Sequence, residues 1–342
     1  MPPVVVVGAG IVGASVAYHL ARAGMPVTLI DRASSPADGA TGKSFAWIGD
    51  AGGDWPGGAE DLRANVIADY RRLENEIPGV AVRWTGSLDW TGEHTGRWIE
   101  RDQIQELEPN LRSVPARAVY APTDGGVDPV GVTNAMVDAA RRLGASVVLG
   151  SEVTSLRQVL GMSSSTGDHA ASTVVLAAGA DVAALGERFG VALPVTVSPA
   201  LLVHLAVPAG LIRTIVATPD FEARELRPGH LLMTVPEAHP GMVEQAVDRL
   251  RATFRNTGSV RQLGWAVGDR PMPEGGPVVG YLAPDHSTYV AVAHSAITLA
   301  PTLGRLIAQE LTTGRPAPEL RRCRPLRQDD HPHGFQRGGN VR

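Results

Sequence analysis

A glycine-rich turn near the N-terminus constrains the fold of this chain more than any other feature. The valines from Val4 to Val7 lead into Gly8-Ala9-Gly10-Ile11-Val12-Gly13, and the segment from Ile11 to Ala23 has helical spacing until Gly24 ends it. Val27 to Ile30 then predicts a second strand. This order predicts a βαβ unit, and the uninterrupted apolar strands predict a parallel sheet covered on both faces.

The residues of this unit predict a dinucleotide site. Gly8 permits the tight turn, Gly10 lets the backbone approach a pyrophosphate, and Gly13 lets the helix pack closely on the strand. The free amides at the helix N-terminus favour phosphate. Asp31 follows Gly13 by eighteen residues, where a carboxylate can accept hydrogen bonds from both ribose hydroxyls of an adenosine. The expected contacts are Gly8, Gly10, Ile11, Val12, Gly13, Asp31 and Arg32. This motif serves NAD and FAD alike.

Composition excludes several other classes. The chain has 342 residues, which predicts two interlocked domains, and its net charge of −4 with 31 scattered Lys and Arg argues against a nucleic-acid partner. A single cysteine, Cys323, and the lack of a His/Cys cluster predict no metal site and fit a reducing cytoplasm. Residues 4–21 are long and apolar, but no basic residue precedes them and three glycines interrupt them, so we expect no membrane insertion.

Four further segments resemble the family of FAD-dependent D-amino-acid, glycine and sarcosine oxidases. The segment from Ala40 to Ile48 is similar to the family loop beside the pyrophosphate and the isoalloxazine edge. The segment from Gly126 to Val153 is similar to the crossover whose final valine meets the adenine. The apolar strand Val174 to Ala180 is similar to the family strand that ends in Ala-Gly beneath the dinucleotide.

The fourth segment is the most specific. It comprises Gly268-Asp269-Arg270-Pro271, Gly276 to Gly280, and His294 through Pro301 to Gly304, and in the family it returns to the flavin. NAD-dependent Rossmann dehydrogenases do not show this order of segments, so the resemblance implies FAD. It also implies FAD contacts at Gly42, Lys43, Ser44, Ala46, Trp47, Val153, Ala178, Gly179, Gly268, Arg270, His294, Ser295, Ala296, Ile297 and Thr298.

The resemblance further implies three residues at the chemistry. In amino-acid-oxidising members the arginine of Gly-x-Arg-Pro holds the substrate carboxylate, which assigns that role to Arg270; the alternative is a pair with a neighbouring acid such as Asp269 or Glu274. His294 is expected either to steer protonation of the substrate amine or simply to pack against FAD. Trp47 is expected either to form a wall of the substrate pocket or to belong to the core.

The implied reaction removes a hydride from the carbon beside the nitrogen of a small amino acid or secondary amine. Flavin N5 accepts the hydride, an imine forms and hydrolyses, and reoxidation by oxygen gives hydrogen peroxide. A dehydrogenase that passes electrons to a quinone or partner protein, and a non-catalytic FAD-binding subunit of a larger complex, are alternative functions. A homo-oligomer or a fixed partner subunit is compatible with each of them.

Several positions depart from the family pattern. Sarcosine oxidases tether the flavin through a cysteine near the position of Arg270, whereas the cysteine here is Cys323, so we expect FAD to be non-covalent. Ala296 replaces a usual glycine of the last flavin loop, and Ser198-Pro199 replaces an Arg-Gly pair. Residues 195–265 are short for the family. The identity of the substrate is therefore left open.

We expect an α/β fold, in which an FAD-binding, Rossmann-like parallel sheet domain is interlocked with a second, α+β substrate domain built on an antiparallel sheet. We assign 1–48, 126–194 and 266–314 to the first domain and 49–125 and 195–265 to the second. Residues 315–342 are expected to form a mobile tail. His331 and His333 lie in that tail, and we interpret them as compositional rather than as metal ligands.

Overall fold

Two large β-sheets organise the chain. The computed structural model describes residues 2–50, 54–92, 96–157, 161–188, 190–235, 239, 241–282 and 284–325. In chain order, the strands of this part are β1 (Val4–Val7), β2 (Val27–Ile30), β3 (Trp47–Ile48), β4 (Ser87–Asp89), β5 (Arg97–Glu100), β6 (Arg117–Ala121), β7 (Gly125–Gly126), β8 (Ser146–Val148), β9 (Val153–Arg157), β10 (Gly161–Ser164), β11 (Gly167–His169), β12 (Thr173–Leu176), β13 (Val195–Ala206), β14 (Ile215–Ala217), β15 (Glu222–Arg227), β16 (His230–Val235), β17 (Arg261–Pro273), β18 (Val278–Tyr281) and β19 (Thr288–Val292). The α-helices are α1 (Ile11–Arg22), α2 (Ala59–Arg63), α3 (Val66–Glu76), α4 (Arg101–Leu107), α5 (Pro129–Arg142), α6 (Val182–Arg188), α7 (Met242–Thr253) and α8 (Ala296–Thr313), and short 3₁₀ helices cover Ala40–Lys43, Gly179–Asp181 and Pro318–Cys323.

The first sheet contains the βαβ unit that the glycine-rich turn predicts. Its strand order is β18-β19-β12-β1-β2-β8, and every pair is parallel except β18 with β19. Val4 and Val6 pack into the core that holds α1, α5 and α8, whereas Val5 and Val7 pack into the core on the other face, with Val153 of β9. Burial on both faces explains why these strands are apolar throughout.

The second sheet is built largely from the segments expected to form an antiparallel sheet. Its order is β17-β13-β16-β15-β14-β4-β6-β5, with only β14 and β4 parallel. Helix α7 packs on one face, where its Met242 and Ala246 share a core with Val203 and Met233. The opposite face is turned toward the first sheet. Strand β17 crosses the expected domain boundary between residues 265 and 266 without a break.

Helix α8 begins earlier than the sequence predicts. The sequence predicts a helix near Pro301 to Leu311, whereas the helix starts at Ala296 and contains Pro301. Proline has no N–H to donate to the carbonyl of Ile297, which lies four residues earlier. The buried hydroxyl of Tyr70 on α3 donates to that carbonyl oxygen at 2.5 Å. A tertiary contact thus compensates the lost helical hydrogen bond.

Two other expectations need correction. The charged segment around Glu60 to Glu76 predicts one helix, but it forms two, α2 and α3. Residues 315–325 do not form a detached tail, because Ala317, Leu320 and Cys323 are buried and Arg324 pairs with the buried Glu310 of α8. The rest of the expected tail, 326–342 with both histidines, lies outside the described residues. Within the described ranges, no helix is long and apolar enough to cross a membrane.

Close packing of α1 on α8 gives a testable prediction. A Cβ added at Gly304 would lie 2.7 Å from the backbone carbon of Ser15, and the Ser15 hydroxyl already donates to the Ala300 carbonyl at 2.7 Å. G304A should lower the free energy of unfolding by about 1–3 kcal/mol, because overpacking outweighs the gain in helix propensity of roughly 0.5–1 kcal/mol.

Urea denaturation of G304A and of the matched control G258A measures this effect. Gly258 is exposed and has open space around its Cβ position, so the control should stay within about 0.5 kcal/mol of the wild type. Equal stability of G304A and G258A would contradict the packing described for α1 and α8.

Candidate active site

A cavity of about 630 Å³ lies where the two sheets face each other. It opens at the carboxyl ends of β1, β2, β12 and β19, which is where parallel α/β sheets bind ligands, and its size is that of a ligand pocket. The antiparallel sheet contributes the opposite wall, with Ala200, Leu202, Glu222, Thr234 and Arg270. The cavity therefore brings the glycine-rich turn together with Trp47, Arg270 and His294, the residues expected to take part in the reaction.

The glycines of the turn divide into lining and packing residues. Gly8 has a φ of 109° and its Cα faces the backbone of Ala177 so closely that a Cβ would overlap it. Gly10 lines the cavity, and the side-chain oxygen of Thr41 accepts the amide hydrogen of Ile11 at 3.1 Å. Gly13 does not line the cavity, because it packs against the Gly8 carbonyl. The turn thus presents backbone rather than side chains to a ligand.

Asp31 has a structural use that the sequence analysis did not anticipate. Its Oδ2 accepts the amide hydrogen of Ala9 at 2.5 Å and its Oδ1 accepts that of Ala33 at 2.8 Å. The carboxylate therefore holds the glycine-rich turn against the end of β2 while it also lines the cavity. The neighbouring Arg32 pairs with Asp181 at 2.7 Å.

Two non-glycine residues in the left-handed region line the cavity on the segments that resemble flavin loops. Ala46 has a φ of 57° and Ser295, which precedes α8, has a φ of 58°. This conformation costs roughly 1–2 kcal/mol for an L-residue. The hydroxyl of Thr298 donates to the Trp47 carbonyl at 2.9 Å, so α8 and the Ala46 turn are fastened to each other. Strain of this kind is concentrated at functional sites.

Trp47 forms part of the cavity wall, and a hydrogen bond from its indole nitrogen fixes its position. Its Nε1 donates to Oδ2 of Asp124 at 2.8 Å, and the hydroxyl of Ser87 donates to the same oxygen at 2.7 Å. Its backbone pairs with Gly126 across β3 and β7. The indole ring is therefore fixed in orientation rather than mobile in the cavity.

Arg270 and His294 line the same cavity, Arg270 from β17 of the antiparallel sheet and His294 from the segment that follows β19 of the parallel sheet. Nη2 of Arg270 donates to Oγ of Ser198 at 2.9 Å, and its guanidinium is exposed. Within the described residues Arg270 forms no ion pair, so a structural pair with Asp269 or Glu274 is not observed. Burial, and then the positive charge of Arg270, lower the pKa of His294 below its usual value. His294 is therefore neutral at pH 7.

Arg224 lies beneath the site and was not predicted. It is 2% exposed, its Nε donates to the Phe45 carbonyl at 2.6 Å, and its Nη2 donates to the Val127 carbonyl at 2.6 Å. Burial lowers its pKa to about 9. Within the described part of the chain, its Nη1 has no hydrogen-bond partner and lies against Gly126, where a Cβ would be 2.6 Å away. This arginine fastens the antiparallel sheet to the segment that carries Ala46 and Trp47.

Most of the expected contacts line the cavity, and three do not. Gly13, Gly42 and Gly268 instead make close packing contacts, with the Gly8 carbonyl, the Ala37 carbonyl and the Lys43 side chain respectively. Those that line it are Gly8, Gly10, Ile11, Val12, Asp31, Arg32, Lys43, Ser44, Ala46, Trp47, Val153, Ala178, Gly179, Arg270, His294, Ser295, Ala296, Ile297 and Thr298. Among the described residues, no group of three or more His, Cys, Asp or Glu is arranged to hold a metal.

Comparisons with known proteins agree with this architecture. The model of the DAO family, described as FAD dependent oxidoreductase, matches residues 3–310. The glycine oxidase of Geobacillus kaustophilus (strain HTA426) is 26% identical over 344 residues, which cover 89% of this chain and 91% of that protein.

Solved structures show the same fold. The crystal structure of glycine oxidase from Geobacillus kaustophilus superposes with a TM-score of 0.85 at 23% identity, covering 96% of this chain and 99% of that one. The L-proline dehydrogenase from P. horikoshii superposes with a TM-score of 0.81 at 19% identity, covering 93% and 96%. The expected α/β architecture with its second, antiparallel sheet is confirmed by these matches.

The dual contacts of Asp31 predict its effect on flavin binding. D31N leaves one acceptor oxygen and one amide group, so one of the two part-buried hydrogen bonds, from Ala9 or from Ala33, is lost and the turn is held less firmly. The Kd for FAD, measured by fluorescence titration of the apoprotein, should rise about ten- to hundredfold. D138N on the exposed side of α5 is the matched control and should bind FAD like the wild type. Equal Kd values for D31N and D138N would contradict this role.

Proposed function

Because the chain belongs to the DAO family of FAD dependent oxidoreductases, we propose that it oxidises the C–N bond of a small amino acid whose carboxylate is bound by Arg270. The observation that carries the proposal is the position of Arg270. It lines the same cavity as neutral His294 and the glycine-rich turn, and it has no acidic partner among the described residues.

The residues present fit FAD. The cavity continues from Asp31 and the Gly8–Gly10 backbone, past the Ala46 and Ser295 turns, to the wall of the antiparallel sheet. A side chain at Gly8 would clash with the backbone of Ala177, which explains why a glycine stands at this point of the cavity wall. Gly10, Ile11 and Val12 would hold the pyrophosphate at the α1 N-terminus, and Asp31 the ribose. When bound, FAD supplies a hydride acceptor for the carbon beside the substrate nitrogen.

Arg270 would orient the substrate. A guanidinium binds a carboxylate through two charge-assisted hydrogen bonds and stays charged at any working pH. Nε donates to the Ser198 carbonyl at 3.3 Å and Nη2 donates to the Ser198 hydroxyl, so one edge of the guanidinium is held on β13 and the remaining N–H donors, including both of Nη1, are left for a ligand. Fixing the carboxylate restricts the position of the adjacent C–H bond, and such orientation is a large part of catalysis in reactions of this kind.

His294 would contact the amine end of the substrate. Since its imidazole is neutral at pH 7, one ring nitrogen can accept a hydrogen bond from a substrate N–H. A cationic imidazole would instead repel an ammonium group and compete for the carboxylate. Burial, with the positive charge of Arg270 as the second cause, lowers the pKa of His294 and keeps it uncharged, while Arg270 would bind the carboxylate.

Molecular oxygen is our proposed electron acceptor, and hydrogen peroxide the second product. The glycine oxidase relative is an oxidase by name, whereas the L-proline dehydrogenase of the same fold is not, so a quinone or partner protein is the alternative acceptor. The rate at which air reoxidises the reduced protein distinguishes the two. We propose further that FAD is bound non-covalently, because the buried Cys323 packs against Gly58 and does not line the cavity. A cytoplasmic location is part of the same proposal and is compatible with this single thiol.

Replacement of Arg270 tests the proposal. R270M should lower kcat/KM for glycine or alanine about 10²- to 10⁴-fold, because two charge-assisted hydrogen bonds worth roughly 1.5–3 kcal/mol each are lost. R270K keeps the charge and should lie between R270M and the wild type. The same variants are assayed with methylamine and ethylamine, which have no carboxylate, by stopped-flow reduction under anaerobic conditions. An equal loss for amines and amino acids would show that Arg270 does not bind the carboxylate.

A further inference from the structure

One cation that lines the cavity has no role in the proposed reaction. It belongs to Lys43, the only lysine among the 342 residues of the chain. We propose that the Lys43 ammonium binds a second carboxylate of the substrate, so that the preferred substrate is a dicarboxylic amino acid. This inference rests on the proposed function, since it concerns the same cavity and takes Arg270 as the anchor of the first carboxylate.

The backbone on both sides of Lys43 is held by hydrogen bonds within its turn. The amide of Gly42 donates to the Ala37 carbonyl at 2.9 Å, and the amide of Ser44 donates to the Thr41 carbonyl at 3.2 Å. The base of the Lys43 side chain therefore has a fixed position. Its flexible four-carbon stem and three N–H donors can still adjust to a ligand.

Lys43 packs directly over β17, the strand that carries Arg270. A Cβ at Gly268 would lie 2.9 Å from the Cβ of Lys43. Gly268 pairs with Ala200, which lines the cavity, so this contact lies on the cavity face of the sheet. Arg270 follows Gly268 by two residues, so it points to the same face about 7 Å farther along the strand. The two cationic side chains therefore start from neighbouring positions on one wall.

The two cations have no acidic partner within the described ranges. There, the Lys43 ammonium forms no hydrogen bond or ion pair, and the guanidinium of Arg270 donates to Ser198 alone. Asp269 precedes Arg270, but successive side chains of a strand point to opposite faces, so its carboxylate is directed away from this wall. Glu222, which also lines the cavity, is on β15, three strand spacings or about 14 Å from β17. Two neighbouring positive charges favour a ligand that carries two negative charges.

The substrate is a more suitable partner for this ammonium than the cofactor. The pyrophosphate of FAD is expected at Gly10 and the N-terminus of α1, where free amides meet its charge. Lys43 is instead packed against the strand of the carboxylate anchor. It is half-buried, and a lysine that is withdrawn from water is rarely without a partner. A second substrate carboxylate at this point would supply that partner.

A dicarboxylic amino acid satisfies both cations with one short molecule. Its α-carboxylate would bind Arg270, and its second carboxylate, on the side chain or on the nitrogen, would bind Lys43. Contacts at both ends restrict rotation of the substrate and so hold the C–H bond of the α-carbon in one direction. Aspartate, glutamate and N-(carboxymethyl)glycine belong to this class.

Substrate pairs of matched shape test the inference with the FAD-loaded protein. Aspartate is compared with asparagine and glutamate with glutamine, as both enantiomers, and N-(carboxymethyl)glycine with N-propylglycine, by anaerobic flavin reduction. At least one dicarboxylic compound should have a kcat/KM about tenfold or more above that of its uncharged counterpart, the size expected of one partly buried charge-assisted hydrogen bond. If no pair shows this preference, the inference is wrong and the proposed function stands. If none of a wider panel of amino acids reduces the flavin, the proposed function itself is wrong.

K43M identifies the residue responsible. The preference for the dicarboxylic compound over its uncharged counterpart, taken as the ratio of kcat/KM values at saturating FAD, should fall about tenfold or more in K43M. K43R keeps a positive charge and should keep part of the ratio. R142M, which removes an exposed charge from α5 outside the cavity, should keep all of it. An unchanged ratio in K43M, whether or not FAD binds more weakly, would show that the ammonium does not contact a substrate carboxylate.

Ligand binding gives a readout without turnover. Succinate and butyrate share one carboxylate and a four-carbon chain, and they differ in the second carboxylate. Succinate should perturb the spectrum of the bound, oxidised flavin with a Kd about tenfold lower than that of butyrate, and K43M should remove the difference. Equal Kd values in the wild-type protein would contradict a carboxylate site at Lys43.

Because the chain has a single lysine, the contact can also be observed directly. Protein labelled with [ε-¹³C]lysine should give one lysine resonance, and succinate should shift it with the Kd found from the flavin spectrum. Butyrate at the same fractional saturation should leave the resonance in place. A resonance that succinate does not move would overturn the inference.

Discussion

The contact between the Gly8–Gly13 turn and the end of β12 is the constraint on which the rest of the structure depends. Gly8 approaches the Ala177 backbone too closely to carry a side chain, and Gly13 packs on the Gly8 carbonyl. Asp31 completes the arrangement by accepting the Ala9 amide hydrogen. These contacts bring α1, β2 and β12 to one point, and the cavity opens there. The α1–α8 contact through Ser15 and Gly304 then brings the C-terminal flavin segment to the same place.

The second sheet is fixed to this centre by buried polar contacts rather than by a continuous core. Arg224 donates to two carbonyls of the segments around Phe45 and Val127, and Asp124 accepts from Trp47 and Ser87. Such charge-assisted hydrogen bonds are directional, and burial makes it costly to break them. The wall that carries Arg270 is thereby held in one orientation relative to the turns at Ala46 and Ser295. The geometry needed to orient a substrate follows from the fold.

The parallel sheet could be predicted from motifs within short segments of the sequence. Features that depend on contacts between distant segments could not. The βαβ unit could be predicted because Gly8, Gly13 and Asp31 lie within one short segment with a known steric use. The start of α8 could not be predicted, because the hydroxyl that donates to the Ile297 carbonyl belongs to Tyr70, which is distant in the chain. Glu222, Thr234 and Arg224 were missed for a related reason. Only the pairing of β15 with β16 and of β16 with β13 shows which of their side chains face the cavity.

Anaerobic reduction of the bound flavin tests the central claim most directly. The FAD-loaded protein is mixed without oxygen with a panel of amino acids and N-methyl amines, and the visible absorption of the flavin is followed. The account predicts that at least one compound bearing a carboxylate bleaches the flavin, and that its decarboxylated counterpart does so far more slowly. A protein that binds FAD fully but is reduced by no amine or amino acid would contradict the account.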